Sequence, residues 1–367
     1  MPSATGTAVV LTAPEELAVT TYPTPTAVDP GGLLVKTELA TVCGSDVHTW
    51  KGHRPHPTPA ILGHEIVGEI VELGDDVSRD TVGAPLAAGD RVTWTLMASC
   101  GTCYYCRTKH LPQKCEALFK YGHERSDEPP HFTGGFGEYV YVRPGTCVFK
   151  VPDGLSAAVT APLMCGGATV AGGLEAIGVD PMDTVVVQGA GLLGLYAIPL
   201  AKAYGAGQVV AVDLDEDRLA LARRFGADHT FNARSRSTDA LVGEIERLTD
   251  GRGADVAVEA TGTAEAIPVG VDLLATGGRY LLHGTVFPDA PFTLDGYDVV
   301  TKHVTLRGVH NYDAPHLGTV LQFVETSRDR YLFDALSGPT FPLTETGVED
   351  ALRALDTRDA IRPVVRP

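Results

Sequence analysis

The segment "DTVVVQGAGLLG", residues 183–194, limits what this chain can fold into more than any other. A β-branched run, Thr184 to Val187, leads into Gly189, Gly191 and Gly194. An apolar segment of helical character follows to Tyr204, and Gly205 stands where a helix-ending glycine belongs. A second strand pattern, "QVVAVD", ends in Asp213, nineteen residues beyond Gly194. Strand, glycine turn, helix, strand and acid in this order make a dinucleotide cradle. Gly189 permits the tight turn, Gly191 lets a pyrophosphate approach the backbone, and Gly194 lets the helix pack on the strand. Leu192 and Leu193 open a helix whose N-terminus faces the phosphates. The alternation continues through "DRLALARRFGAD", "ADVAVEATG" and "GGRYLLHG", as expected of an α/β parallel sheet with right-handed crossovers. Asp213 would bind the adenosine ribose 2′-hydroxyl and repel a 2′-phosphate, which favours NAD over NADP. Leu214 offers no cation, whereas Arg218 lies close enough to keep NADP open.

A chain of 367 residues exceeds the roughly 250–300 that one core supports, so two domains are expected. The formal charge of −17 opposes a nucleic-acid footprint, which needs clustered Lys and Arg, and a small-molecule partner is the better expectation. The stretch "TVVVQGAGLLGLYAIPLAKAYG" is long enough for a membrane span, but its glycines, Pro199 and Lys202 read as buried strand, turn and helix, so no membrane partner is expected. The amino-terminal segment lacks a basic stretch leading into a sustained apolar one, which predicts a cytoplasmic protein with reduced thiols. The Pro-rich segments 23–30 and 55–59 read as loops.

Four of the seven cysteines fall within "SCGTCYYCRTKHLPQKC". Cys100, Cys103 and Cys106 recur every third residue, and Cys115 follows after eight intervening positions. Thiolates spaced this way can turn toward one point and form the closed tetrahedral shell of a structural Zn2+. Disulfides are disfavoured by compartment, and a nucleic-acid zinc ribbon usually sets two pairs farther apart. Elsewhere stand "CGSDVH", with Cys43, Ser45, Asp46 and His48, then "GHEIVG", with His64 and Glu65, and later Cys165. Cys43, His64 and Cys165 would satisfy a catalytic zinc with one open position. Taken singly, each reads more readily as a buried thiol or a satisfied core histidine than as a ligand. The lone Cys147 reads as a small buried hydrophobe.

"CGSDVH", "GHEIVG", the four-cysteine lobe, Cys165 and "GAGLLG", in that order, resemble the zinc-dependent medium-chain alcohol dehydrogenase family over essentially the whole chain. The resemblance implies a GroES-like, β-rich catalytic domain at 1–166 and 304–367, interrupted by a Rossmann domain at 167–303. It implies that Cys43, His64 and Cys165 bind catalytic zinc, with Glu65 in or near the shell and Asp46 orienting His64. Ser45 and His48 would form a proton route, and a homodimer or homotetramer is expected. An alcohol would be oxidised reversibly to a carbonyl, with hydride passing to NAD. Two departures stand out: the gap before Cys115 is one residue longer than the family pattern, and Gly44 stands where some relatives carry a pyrophosphate-binding arginine. A narrower resemblance, to dehydrogenases of phosphonate metabolism, rests on "QKC" at 113–115, "KYGHE" at 120–124 and "VHNY" at 309–312.

Residues 49–63 carry Lys51, His53, Arg54 and His56 without an acid, and 107–123 carry Arg107, Lys109, Lys114 and Lys120 against Glu116 alone. In so acidic a chain this suggests a pocket for an anion, a hydroxyalkylphosphonate for example. Trp50, Lys51, Arg54, Lys120 and His123 are the candidate substrate residues, Trp50 as a pocket wall. The plainer reading is solvated loops and a dressed zinc lobe. A polyol, sugar-alcohol or amino-alcohol substrate, or a non-catalytic binding protein on the same fold, are the alternatives.

Overall fold

The computed structural model describes residues 3–288 and 290–367. The chain forms two compact units, one from the stretch up to Cys165 with Asp313–Thr326 and Phe333–Pro367, the other from Gly166–Tyr312 with Ser327–Leu332.

In the first unit an eight-stranded sheet carries Leu33–Thr41 and Glu65–Leu73 as antiparallel neighbours, with Arg362–Arg366 on the far side of Leu33–Thr41. A three-stranded sheet is built from Glu16–Pro23, Thr5–Ala13 and Ala60–Ile61. Alternation of buried and exposed positions turns Val9, Leu11, Val35, Ile66, Val92 and Trp94 into one core. Pairing aligns Thr41 with Glu65 and Val364 with Thr41, so three strands distant in sequence deliver side chains to one point.

In the second unit a six-stranded parallel sheet runs in the order His229–Asn232, Gln208–Asp213, Thr184–Gln188, Ala254–Glu259, Leu274–Leu282, Thr305–Gly308. This is the 3-2-1-4-5-6 order of a doubly wound fold, whose direction of winding reverses between Thr184–Gln188 and Ala254–Glu259. Thr184–Gln188 is buried along its whole length, as a central strand covered on both faces must be. The sequence places the return to the catalytic part at 304, but the return falls at Asp313. Thr305–Gly308 pairs in parallel with Leu274–Leu282 and so completes the second sheet. Among the described residues no single helix is long and apolar enough to cross a membrane. The stretch that suggested one divides into a strand and the 13-residue helix Leu192–Tyr204.

Candidate metal centres and dinucleotide cradle

Cys43 ends the turn after Leu33–Thr41 and caps the helix Gly44–Trp50, His64 immediately precedes and Glu65 begins the strand Glu65–Leu73, and Cys165 follows the 3₁₀ turn Ala161–Met164. One ligand atom from each of Cys43, His64, Glu65 and Cys165 lies within 4.8 Å of all the others. Asp46, buried in the same helix, holds two of them in place. Its Oδ1 accepts from His64 Nδ1 at 3.1 Å, which leaves Nε2 facing the cluster, and its Oδ2 accepts from the Cys43 backbone at 2.9 Å. Ser45 Oγ lies 3.3 Å from His64 Nε2. Glu65 Oε2 accepts from Thr41 Oγ1 at 2.6 Å and from Arg362 Nε at 3.0 Å, and Arg362 Nη2 reaches Cys43 Sγ at 3.6 Å.

The electrostatics are those of a ligand set. The neighbouring Cys165 thiol, against the opposing effect of burial and with Arg362 assisting, holds Cys43 well below the usual thiol range. Cys165 is correspondingly pushed up by Cys43 and by burial. Burial disfavours a charged His64, yet the Asp46 carboxylate more than reverses this and raises it to about 10. Burial raises Glu65 despite Arg362. Glu65 Oε1 is buried with no hydrogen-bond partner among the described residues. Two thiols, an imidazole nitrogen and an unsatisfied carboxylate oxygen converging in one place suit zinc, whose binding displaces the protons these groups share.

None of the seven cysteines forms a disulfide. Ligand atoms of Cys100, Cys103, Cys106 and Cys115 also lie within 4.8 Å of one another. Cys103 caps the short helix Tyr104–Arg107, which sets Cys106 beside it, with sulfurs 3.4 Å apart. The longer gap is absorbed by the 3₁₀ turn Pro112–Lys114, which swings Cys115 to 3.9 Å from Cys103. Backbone N–H groups of Cys103 and Ala117 point at sulfurs from 3.4 Å, an arrangement that favours thiolates. Cys147 is half-buried, and burial raises its thiol.

In the second unit Gly189 has φ +94°, and a Cβ on Gly194 would lie 1.8 Å from the Gly189 carbonyl oxygen. Gly191 caps Leu192–Tyr204, and a Cβ there would meet only Arg218 Nη1, at 4.0 Å, which leaves open space in front of the helix N-terminus. That is the cradle a pyrophosphate needs. Leu192 is buried and Leu193 half-buried behind it. Asp213 Oδ2 accepts from the Ala190 backbone at 2.6 Å and Oδ1 from Leu214 at 2.7 Å, which pins the acid beside the turn with lone pairs to spare.

Residues 29–153 match the alcohol dehydrogenase GroES-like domain, and residues 193–326 match the zinc-binding dehydrogenase domain. The chain is 32% identical to 5-exo-hydroxycamphor dehydrogenase of Pseudomonas putida over 92% of each chain. It is 30% identical to D-arabitol-phosphate dehydrogenase of Enterococcus avium over 85% of this chain and 84% of that one. The crystal structure of an alcohol dehydrogenase from Thermotoga maritima superposes with a TM-score of 0.94 at 33% identity, covering all of both chains. The chain belongs to the zinc-dependent medium-chain alcohol dehydrogenase family.

As an alcohol dehydrogenase of this family the protein is an oxidoreductase using NAD and zinc, and its candidate substrate residues divide into two groups. Trp50 is not a pocket wall. It is 1% exposed in the core beside Val47 and Leu352, with the Arg353 guanidinium 5.2 Å from its ring. Helical spacing puts Ser45 and His48 on one face of Gly44–Trp50 and Val47 with Trp50 on the opposite one. Lys51 pairs with Asp356 at 2.5 Å and is no free cation. Arg107, Lys109 and Lys114 are exposed on the cysteine lobe. His123, by contrast, stands beside the cluster, Lys120 interacts electrostatically with its thiols, and Arg54 acts on both His123 and Lys120. The His123 ring lies 5.2 Å from His64 and 5.8 Å from His56, with Nδ1 bonded to the Tyr121 carbonyl at 2.8 Å. Burial, and then the Lys120 charge, hold His123 well below the usual histidine range. Burial lowers the Lys120 ammonium as well, opposed by Cys165, Cys43 and Asp46. Arg54 acts on both groups and on His48 and His56. Arg362 escapes the sequence reading, although an arginine inside the apolar run "IRPVVRP" was an available signal, whereas His56 was noted only as one member of a basic segment.

Proposed function

We propose that the protein oxidises an anionic alcohol, hydroxyalkylphosphonate-like in charge and size, with NAD as hydride acceptor. One observation carries the substrate class: Lys120 interacts electrostatically with Cys165 and Cys43 of the cluster and with Arg54, and among the described residues neither cation forms an ion pair with a carboxylate. Cations without a carboxylate partner next to a cleft of an acidic protein focus the field on an anion. Zinc at the cluster supplies Lewis acidity that eases removal of a hydroxyl proton; for water the pKa falls from 15.7 to about 7. That is worth roughly 12 kcal/mol, against the roughly 3–5 kcal/mol of a general base alone.

Around that chemistry, Asp46 fixes the His64 tautomer and Arg362 with Thr41 holds Glu65. Ser45 takes up the hydroxyl proton at Oγ while passing its own toward His48, which lies on the same helix face and exchanges it with solvent. Cys100, Cys103, Cys106 and Cys115 hold a second, structural zinc, and Gly189–Gly194 with Asp213 and Arg218 hold NAD. The work takes place in the cytoplasm, where thiol ligands stay reduced. The open edge strand Thr305–Gly308, exposed along its length, supports self-association into a dimer or tetramer.

Turnover of 2-hydroxyethylphosphonate and of an uncharged alcohol of equal length, followed by NADH absorbance, tests the substrate class. kcat/KM should favour the phosphonate by at least tenfold and lose that preference in Lys120→Ala. Equal values would leave a polyol or sugar alcohol as the substrate, as the name of the sorbitol dehydrogenase relative from Halalkalibacterium halodurans, 32% identical, suggests.

A further inference from the structure

Glu259 ends the strand Ala254–Glu259, where pairing sets it beside Gln188 on one side and Leu282 on the other. It is fully buried, yet no cation partners it among the described residues. Six donors from two loops converge on it instead. Oε1 accepts from the Thr261 backbone at 2.7 Å, the Thr261 hydroxyl at 2.8 Å and the Gly262 backbone at 2.7 Å. Oε2 accepts from the backbones of Gly284 and Thr285 and from the Thr285 hydroxyl, each at 2.9 Å. A carboxyl group offers about four lone-pair positions, so the acceptor capacity of this one is used to the full. The two loops touch across it: a Cβ on Gly284 would lie 2.5 Å from the Gly262 nitrogen and 2.8 Å from Glu259 Oε1.

Place gives this arrangement its meaning. Glu259 lies at the carboxyl end of the first strand beyond the reversal of strand order, and ligands of doubly wound sheets bind in that crevice. The glycine turn packs directly on the same loop, since a Cβ on Gly189 would be 2.9 Å from Ala260 and 3.0 Å from the Thr261 nitrogen. With a pyrophosphate at the turn and the adenosine half toward Asp213, the other half of a dinucleotide would lie toward the loops 261–262 and 284–285, which pack on the glycine turn and on each other. A buried carboxylate is a costly way to join two loops that apolar packing could join; it fixes their backbones in one position.

We infer that Glu259 is a positioning residue for the nicotinamide half of NAD, clamping the loops 261–262 and 284–285 into the shape that receives it. Titration calorimetry of Glu259→Gln with NADH and with ADP-ribose, which lacks the nicotinamide, tests this. The amide nitrogen cannot accept, so three donors on one side lose their partner. The Kd for NADH should rise at least tenfold while that for ADP-ribose stays within twofold. Equal weakening of both ligands, or of neither, overturns the inference. If Glu259→Gln does not fold, Thr285→Ala removes a single hydroxyl donor and should change the same ratio by about threefold; an unchanged ratio is again a refutation. Wild-type binding of both ligands establishes the cofactor independently, so failure of the clamp and failure of the NAD reading are separately visible.

Discussion

Replacing Arg362 with methionine keeps most of the side-chain volume and removes the only cation bonded to Glu65 among the described residues. The Glu65 carboxylate is 0% exposed and would keep one hydrogen bond, from Thr41. Burial already raises Glu65 with the arginine present, so its loss drives the carboxyl further toward the protonated form. Breaking a buried pair by removing one partner costs about 3–5 kcal/mol, whereas replacing both partners with neutral groups is often close to neutral. Arg362→Met should therefore lose about 3–5 kcal/mol, and at about 2–4 °C per kcal/mol for a unit of about 150–250 residues, melting of the first unit should fall by roughly 6–20 °C. Glu65→Gln with Arg362→Met should cost much less than the two single changes added together. Scanning calorimetry on zinc-replete protein, with zinc content measured alongside, reads both. A drop under about 1 kcal/mol in Arg362→Met, or a double variant as damaged as the sum of the singles, would falsify the pairing argument.

Cys103→Ser should lower zinc content from two equivalents per chain to one and depress the melting temperature, read by metal analysis. Gly194→Ala forces a Cβ to within 1.8 Å of the Gly189 carbonyl oxygen, and NADH affinity should fall at least about tenfold, or about 1.4 kcal/mol, by fluorescence titration. His48 is lowered from 6.5, by burial first and then by His53, so its proton-accepting form is lost only below that value; the acidic limb of the kcat profile should lie there and disappear in His48→Gln. Burial lowers His283 to about 4, so between about 6.5 and about 4 the unfolded chain binds a proton that the fold refuses. That stability is present in full above pH 6.5, and up to about 3 kcal/mol of it, 2.5 units at about 1.36 kcal/mol each, is lost as pH falls to 4. Denaturant titrations at pH 7 and pH 5 should show a smaller difference in His283→Gln.

What the sequence made legible was local. The glycine turn and the four-cysteine lobe are fixed by spacing within one segment, and the lobe even tolerates its extra residue because a 3₁₀ turn takes up the slack. Convergence over distance was not legible. Lys51 looked like a free cation because Asp356, its partner, lies 305 positions away. Arg362 reaches Glu65 only through the register of three strands. Trp50 was misplaced for a different reason: nearness to His48 in sequence was read as nearness in space, although two helical positions point to opposite faces. Glu259 was visible only as the end of a strand, since its role depends on where the loops after two parallel strands come to lie.

The discontinuous catalytic unit also has a consequence for biogenesis. Emerging from the ribosome, Glu65 precedes its guanidinium partner by 297 residues, and Gly166–Tyr312 is synthesised in between. The inserted unit can fold as soon as it clears the exit tunnel, while Glu65 still lacks its guanidinium partner. The pairing of Glu65 with Arg362, and with it the strand Arg362–Arg366 that flanks Leu33–Thr41, is therefore the last part of the first unit to be put in place.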